Sequence, residues 1–329
     1  MASAVAPAGG RTAALSSQVG AWRNALAEGR ETLKADFLER PDPAKALDRQ
    51  RMLVDEVLKT IWSETGQADE LALIAVGGYG RGTLYPYSDV DVLVLLPDQA
   101  SDAARARVEE LVGVLWDIGL EIGHSVRTIA GCSEEASRDV TVQTTLLESR
   151  LVAGNRKLYS SFVKSIEEGL DVPYFVEAKL LEQQQRHTRF NDTAYNLEPN
   201  LKESPGGLRD LQNILWIARA ARLGRSWGDL TKQRILTREE ARQLLRHGST
   251  LAELRVRLHY LASRREDRLL FDYQSALAQE YGLSDTPARR ASEQLMQRFY
   301  STAKQVQLLN TIVLQNLRGR IFPSVDAEP

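Results

Sequence analysis

Cysteine, histidine, net charge and long apolar runs are all scarce in this chain. Its single cysteine, Cys132, excludes an intramolecular disulfide and points to a reducing compartment, so a cytoplasmic protein is expected. Cys132 itself reads as a buried structural thiol near a helix start, not a nucleophile. The four histidines, His124, His187, His247 and His259, are followed by Ser, Thr, Gly and Tyr, so no His-Asp pair occurs. Lys and Arg total 42 against 44 Asp and Glu, a net charge of -2. No global basic field is available for nucleic acid, and any such partner would need a local patch. The longest strongly apolar stretches, such as Val90 to Leu96, are far too short to span a bilayer. Met1 to Gly10 has neither a basic region nor an apolar one and is not a signal peptide. No repeat or low-complexity segment is found beyond this Ala/Gly-rich start.

What is present is an ordinary globular composition, 43% hydrophobic and 26% charged, over 329 residues. That length favours two domains. A disordered tail is expected over 1–15 and a linker stub over 321–329. Between them, 16–150 reads as mixed α/β and 151–320 as all-helical, an α+β protein with a small mixed sheet behind N-terminal helices. Helical spacing of Val19, Trp22, Leu26 and Leu33 runs until Pro41 and Pro43. A second helix carries Leu47, Met52, Leu53, Val57, Leu58 and Trp62 on one side. Strands are expected at Leu71 to Val76, from Val90, and at Gly119 to Ile129, with a helix opened by Ser101-Asp102 before the third. No strand is expected beyond Glu134.

The most telling segment is Gly77 to Leu96, in which a glycine turn follows one apolar strand and Asp89 and Asp91 open the next. Residues i and i+2 of a strand share a face, so the two carboxylates point the same way. Such a pair at the mouth of a glycine turn suits a hard divalent cation carrying phosphate. Mg2+ takes one or two carboxylates and completes its shell with water and phosphate oxygens. Gly77 and Gly78 would let backbone N–H groups approach phosphate oxygens, and Arg81 would add a charge-assisted contact. A dinucleotide-binding loop would run straight into a long helix, whereas here Pro86 and a second strand follow. The plainer alternative is a tight turn with an acidic strand edge. Against it, same-face carboxylates at the start of a buried strand are seldom left unpaired or without a metal.

Gly-Gly-x-Gly-Arg-Gly followed by Ser-Asp-Val-Asp-Val-Leu resembles the signature of the DNA polymerase beta-like nucleotidyltransferase superfamily. The blocks Leu115-Trp116-Asp117, Glu121 to Thr128, Leu147 to Leu151, Tyr195 to Lys202 and Ser204 to Asp210 resemble one family within it, the bacterial PII uridylyltransferase/uridylyl-removing enzymes. The resemblance runs from about residue 20 to about 320. It implies Mg2+-dependent transfer of UMP from UTP to a tyrosine of the PII signalling protein, with release of pyrophosphate and no nucleic acid or membrane partner. On this resemblance the catalytic residues are Asp89 and Asp91. The nucleotide-binding set is Gly77, Gly78, Arg81, Ser88, Arg127, Lys202 and Arg209, and the metal set is Asp89, Asp91 and Glu121. Glu121 enters as the only acid on the third strand, where the superfamily carries a third carboxylate; the natural neighbour of the aspartates, near Ser125, has no charge. Without a His-Asp pair, the uridylyl-removing domain is expected to be absent from this chain, as are the glutamine-sensing domains.

Other candidates have plainer readings beside the functional one. Arg127 could meet a phosphate or form a salt bridge, and His124 reads as a hydrogen-bonded structural residue. Asn196 to Asp210 could fold over a nucleotide with Lys202 or Arg209 facing phosphate, or could be a helix-start turn with buried Asn and Asp satisfying backbone groups. Arg255, Arg257, Arg264, Arg265 and Arg268 read as a solvated face paired with Glu253, Glu266 and Asp267. Rival functions are a nucleotidyltransferase with another acceptor or nucleotide, and a non-catalytic UTP- or PII-binding regulatory module.

Overall fold

A computed structural model describes residues 8–67 and 69–323, with side chains from residue 18. Two compact units divide the chain, 1–169 and 170–329. The first holds α1 (Ala8–Glu39), α2 (Pro43–Glu64), β1 (Ala72–Ala75), α3 (Gly77–Gly80), β2 (Val90–Leu96), α4 (Asp102–Asp117), β3 (Ile122–Thr128), α5 (Ile129–Arg138), α6 (Val140–Leu147), β4 (Arg150–Gly154) and α7 (Arg156–Glu168). The second holds α8 (Val172–Arg189), α9 (Leu208–Ala220), α10 (Trp227–Lys232), α11 (Arg238–Ala262), α12 (Phe271–Glu280) and α13 (Ala291–Ile321). This is an α+β protein.

The strand order of the sheet is β3-β2-β1-β4, with β2 and β3 parallel and the other pairs antiparallel. β4 corrects the expectation that no strand follows Glu134. Four of its five residues pair with β1, with a register shift at Val152, and the first unit runs to residue 169. Only Val152 of the five is buried, so β4 lacks the apolar run or clean alternation that marks a strand in sequence. The expected tail overlaps α1, which starts at Ala8; residues 1–7 and 324–329 lie outside the described residues.

Local signals place the helices around this sheet. Asp42 caps α2 by accepting from the Lys45 N–H at 3.0 Å, with Pro43 in the first turn. Ser101 caps α4 through the Ala104 N–H. Leu71, Leu73 and Ala75, with Val90, Val92, Val94 and Leu96, turn one face of the sheet toward Trp22 and Leu26 of α1, Leu58 and Ile61 of α2, and Leu111 and Leu115 of α4. Met52, expected on the apolar side of α2, is 54% exposed, and Val54 and Ile61 take the core positions. Cys132 is buried in α5, and burial pushes its thiol up to about 11. Among the described residues no helix is long and apolar enough to cross a membrane.

A buried ionic knot ties three of these elements together. Asp55 of α2 accepts a bidentate pair from Arg150 of β4, both bonds at 2.9 Å. It also accepts from Arg51 Nη1 at 2.7 Å and from the Tyr79 hydroxyl of α3. Burial first, and then the adjacent Asp55 carboxylate, raise the Tyr79 phenol above its ordinary value, so it stays a donor.

The second unit is all-helical and carries its own buried polar centre. Asp210, fully buried in α9, accepts from Arg186 Nη2 at 2.7 Å and from the Gly206 N–H at 2.7 Å, and lies 2.9 Å from His187 Nε2. Burial opposes its charge. The His187 hydrogen bond and the Arg186 guanidinium outweigh that and hold the carboxyl below its ordinary value.

Two outcomes are expected. Asp55→Ala leaves the Arg150 guanidinium and the Tyr79 phenol without their carboxylate, while Arg51 keeps Asp48, a loss of about 3–5 kcal/mol for a broken buried pair. For a unit of this size that lowers the melting temperature by about 10 °C, measurable by circular dichroism. A depressed folded-state pKa at Asp210 stabilises fully above the unfolded value of about 4 and is lost as pH falls below it. The melting temperature should therefore drop below about pH 4, and Asp210→Asn should flatten that acid limb while lowering stability at pH 7.

Candidate active site

β1 ends at Ala75, and the chain closes immediately into the single turn of α3. Two of its glycines have different causes. Gly77 adopts φ +57°, a left-handed conformation that side chains strain. At Gly80 a methyl group would stand 1.8 Å from the Glu148 carbonyl oxygen, so α6 approaches the turn only because Cβ is missing. The Val76 N–H bonds the Asp91 carbonyl at 3.0 Å and fixes the turn against β2. The N–H groups that open a helical turn have no carbonyl of their own turn to bond, and here those belong to Gly77, Gly78 and Tyr79.

Asp89 lies one residue before β2 and Asp91 is its second residue, on the face opposite the core-facing Val90 and Val92. The carboxylate of Asp91 is set between two glycines. A Cβ at Gly77 would stand 3.5 Å from Asp91 Oδ2, and one at Gly123 would stand 2.4 Å from Oδ1. Ser88 sits in the half-buried turn ahead of them, its N–H bonded to the Tyr85 carbonyl at 3.1 Å. Tyr87 beside it takes φ +56°.

The parallel pairing of β2 and β3 changes the expected neighbour of the pair. Gly123, not Ser125, stands abreast of Asp91, and Ser125 pairs with Leu93 further along. The Val90 N–H bonds the Glu121 carbonyl at 2.8 Å, which carries the register back to Glu121 beside Asp89. Among the described residues no group of three or more His, Cys, Asp or Glu side chains is arranged to hold a metal ion. What the geometry offers is therefore a two-carboxylate set of hard oxygen donors. That fits Mg2+, whose other positions go to water and phosphate.

The arginines proposed from sequence as phosphate ligands already hold carboxylates. Arg81 pairs with Glu148 and donates from Nε to Thr83 Oγ1 at 3.0 Å. Arg127 Nη1 lies 3.2 Å from Glu135 Oε2 of α5, a salt bridge to a helix and not to the sheet, and makes no hydrogen bond there. His124 meets the edge of Trp116, with ring centroids 5.9 Å apart.

Lys202 and Arg209 belong to the second unit. Arg209 pairs with Glu203 at 3.0 Å and lies over the Trp216 ring. Lys202 lies 3.7 Å from Glu203, and burial and then the neighbouring Arg209 and Arg255 lower its pKa. Asn200 Oδ1 accepts from the N–H groups of Lys202 and Glu203 at 2.9 and 2.7 Å. With Asp210 holding Gly206, the block is a helix-start turn whose buried side chains satisfy backbone groups. Arg255 and Arg257, expected on a solvated face, are buried; they do pair with Asp267 and Glu253.

Asp55 escaped the sequence reading, and Gly123, Glu148 and Arg150 entered it only inside the blocks that carry the resemblance, with no role of their own. A polar residue among the apolar positions of α2 and a lone glycine inside a strand pattern were the available signals for Asp55 and Gly123.

Residues 55–151 match the family described as nucleotidyltransferase domain, and 174–314 match GlnD PII-uridylyltransferase. The bifunctional uridylyltransferase/uridylyl-removing enzyme of Nitrosospira multiformis is 52% identical over 93% of this chain and 35% of that protein. Those of Aromatoleum aromaticum and Chromobacterium violaceum are 52% identical over 94% and 92% of this chain, each across 36% of the relative. The chain thus spans about a third of the length of the curated relatives it matches. Among solved structures, a toxin–antitoxin complex with AMP-PNP aligns at a TM-score of 0.21 and 16% identity over 42% of this chain, and the fold assignment rests on the elements themselves. With both domains present in order and half the residues shared along almost its whole length, this chain belongs to the family of the bifunctional uridylyltransferase/uridylyl-removing enzymes.

Proposed function

We propose that this chain carries the transferase activity of its family, moving UMP from UTP to a tyrosine hydroxyl of the PII protein in the cytoplasm. The observation that carries this reading is the Asp89/Asp91 pair at the head of β2, beside the one-turn α3, inside a domain of nucleotidyltransferase type. The acceptor hydroxyl would give up its proton to water as its oxygen bonds the α-phosphorus, while the bond to the β-phosphate bridging oxygen breaks, so pyrophosphate carries off the electron pair. The N–H groups of Gly77 and Gly78 would hold phosphate oxygens, with no side chain to keep them at a distance. Ser88 would donate its hydroxyl beside them. Arg81 and Arg127 would offer only the donors their carboxylate partners leave.

Asp89 and Asp91 would hold Mg2+, with Glu121 as the nearest third acid by register. Bound there, Mg2+ would polarise the α-phosphate and neutralise the leaving pyrophosphate.

The test is transfer of label from UTP to PII with Mg2+ present. Asp89→Asn keeps the volume and removes the charge, so the rate should fall by about three orders of magnitude, the equivalent of several kcal/mol of transition-state stabilisation. No labelled PII from the folded wild-type chain would overturn the activity. A thermal shift with ATP equal to that with UTP would point to another nucleotide. UTP binding without pyrophosphate release would point to a regulatory module.

A further inference from the structure

Gly123 has no conformational reason to be glycine. It lies inside β3 and is not among the residues with positive φ, so any side chain suits its backbone. Strand interiors disfavour glycine, and β3 is a seven-residue strand that would gain from a substituent there. What excludes a side chain is a single group. A methyl carbon on Gly123 would stand 2.4 Å from Asp91 Oδ1, far inside contact distance, yet 3.6 Å from Asp91 Cγ and 4.0 Å from its Cα. Backbone therefore has room, and the whole conflict falls on one carboxylate oxygen at the end of a rotatable side chain. The register explains why, since Gly123 and Asp91 are direct partners across the parallel pair and point to the same face. Gly77 bounds the other oxygen, Oδ2, at ordinary contact distance.

We infer that Gly123 is a positioning residue for Asp91: its missing side chain is the seat in which the carboxylate lies, and filling that seat turns the carboxylate away while leaving the fold intact. The inference rests on the reading of Asp91 as a metal ligand. Its consequence is specific. A residue kept for stability loses stability when replaced, whereas a seat kept for a carboxylate trades function for stability. Gly123→Ala should strengthen the strand and weaken the site.

The experiment compares wild type, Gly123→Ala and Asp91→Asn as full chains. Melting temperature is measured with no metal, and Mn2+ binding is read by the spin resonance of free Mn2+ in the presence of a non-hydrolysable UTP analogue. Gly123→Ala should melt at or above the wild-type temperature and bind Mn2+ at least tenfold more weakly. Asp91→Asn should lose Mn2+ binding to the same extent or more. In the transfer assay, the Mg2+ concentration for half-maximal rate should rise at least tenfold in Gly123→Ala. Wild-type Mn2+ affinity in Gly123→Ala, with binding lost in Asp91→Asn, overturns the seat alone. Unchanged binding in both variants overturns the metal reading beneath it. A Gly123→Ala chain that melts several degrees below wild type makes the glycine a structural residue and overturns the inference as well.

Discussion

A buried carboxylate must find positive partners or lose its charge, and the first unit is arranged around one that did. Asp55 is 4% exposed, and its two oxygens take up donors from α2, α3 and β4. Arg51 lies one helical turn away, but Tyr79 and Arg150 come from distant parts of the chain. Their convergence fixes the turn after β1 to the helix behind it and to the strand beside it. The glycines of that turn supply freedom of conformation, and the Asp55 knot removes the freedom that is not wanted. Gly80 completes the arrangement, because the Glu148 carbonyl lies where any other residue would place its Cβ.

With the turn fixed, the chemistry at the strand head depends on small distances on one sheet face. Asp91 lies between Gly77 and Gly123, two residues that are 46 positions apart in sequence and meet only because β2 and β3 run parallel. The positive charge nearby is largely committed. Arg81 belongs with Glu148 and Arg127 with Glu135, so the region is a set of paired charges and not an open basic cleft. On the proposed function, backbone N–H groups would be the partners for phosphate, as they carry positive potential without a counter-ion to displace.

The second unit follows the same physical rule with other residues. Asp210 and Asn200 accept backbone N–H groups of the turn ahead of α9, and the buried Asn213 donates to the Gln183 side chain. Asp210 collects Arg186, His187 and the Gly206 N–H, while Asn310 Nδ2 donates to its backbone carbonyl. Lys179 is buried against the Trp216 ring with Glu182 as its counter-ion. A block rich in Asn, Pro, Ser and Gly reads in sequence as a loop over a nucleotide or as a helix-start turn; here Asn200 and Asp210 hold backbone N–H groups, while Lys202 and Arg209 pair with Glu203.

Much of this was legible in the amino-acid order, because it depends on neighbours in the chain. Helices announced themselves by apolar spacing and by the Ser101 cap, and β2 by its apolar run from Val92 to Leu96. Asp89 and Asp91 had to share a face because strand side chains alternate. β4 was not legible, since it pairs on one side only and buries one side chain. Nor was the commitment of Arg81 and Arg127, whose partners lie 67 positions away in one case and on the following helix in the other. The residue abreast of Asp91 was also out of reach: alternation determines the face a side chain takes, but only the pairing register determines what stands beside it. The sequence alone therefore determined that two carboxylates and a glycine turn belong together. Tertiary structure decided which buried charge holds the turn, which arginines are already paired, and that a glycine, with no side chain to interfere, makes room for Asp91.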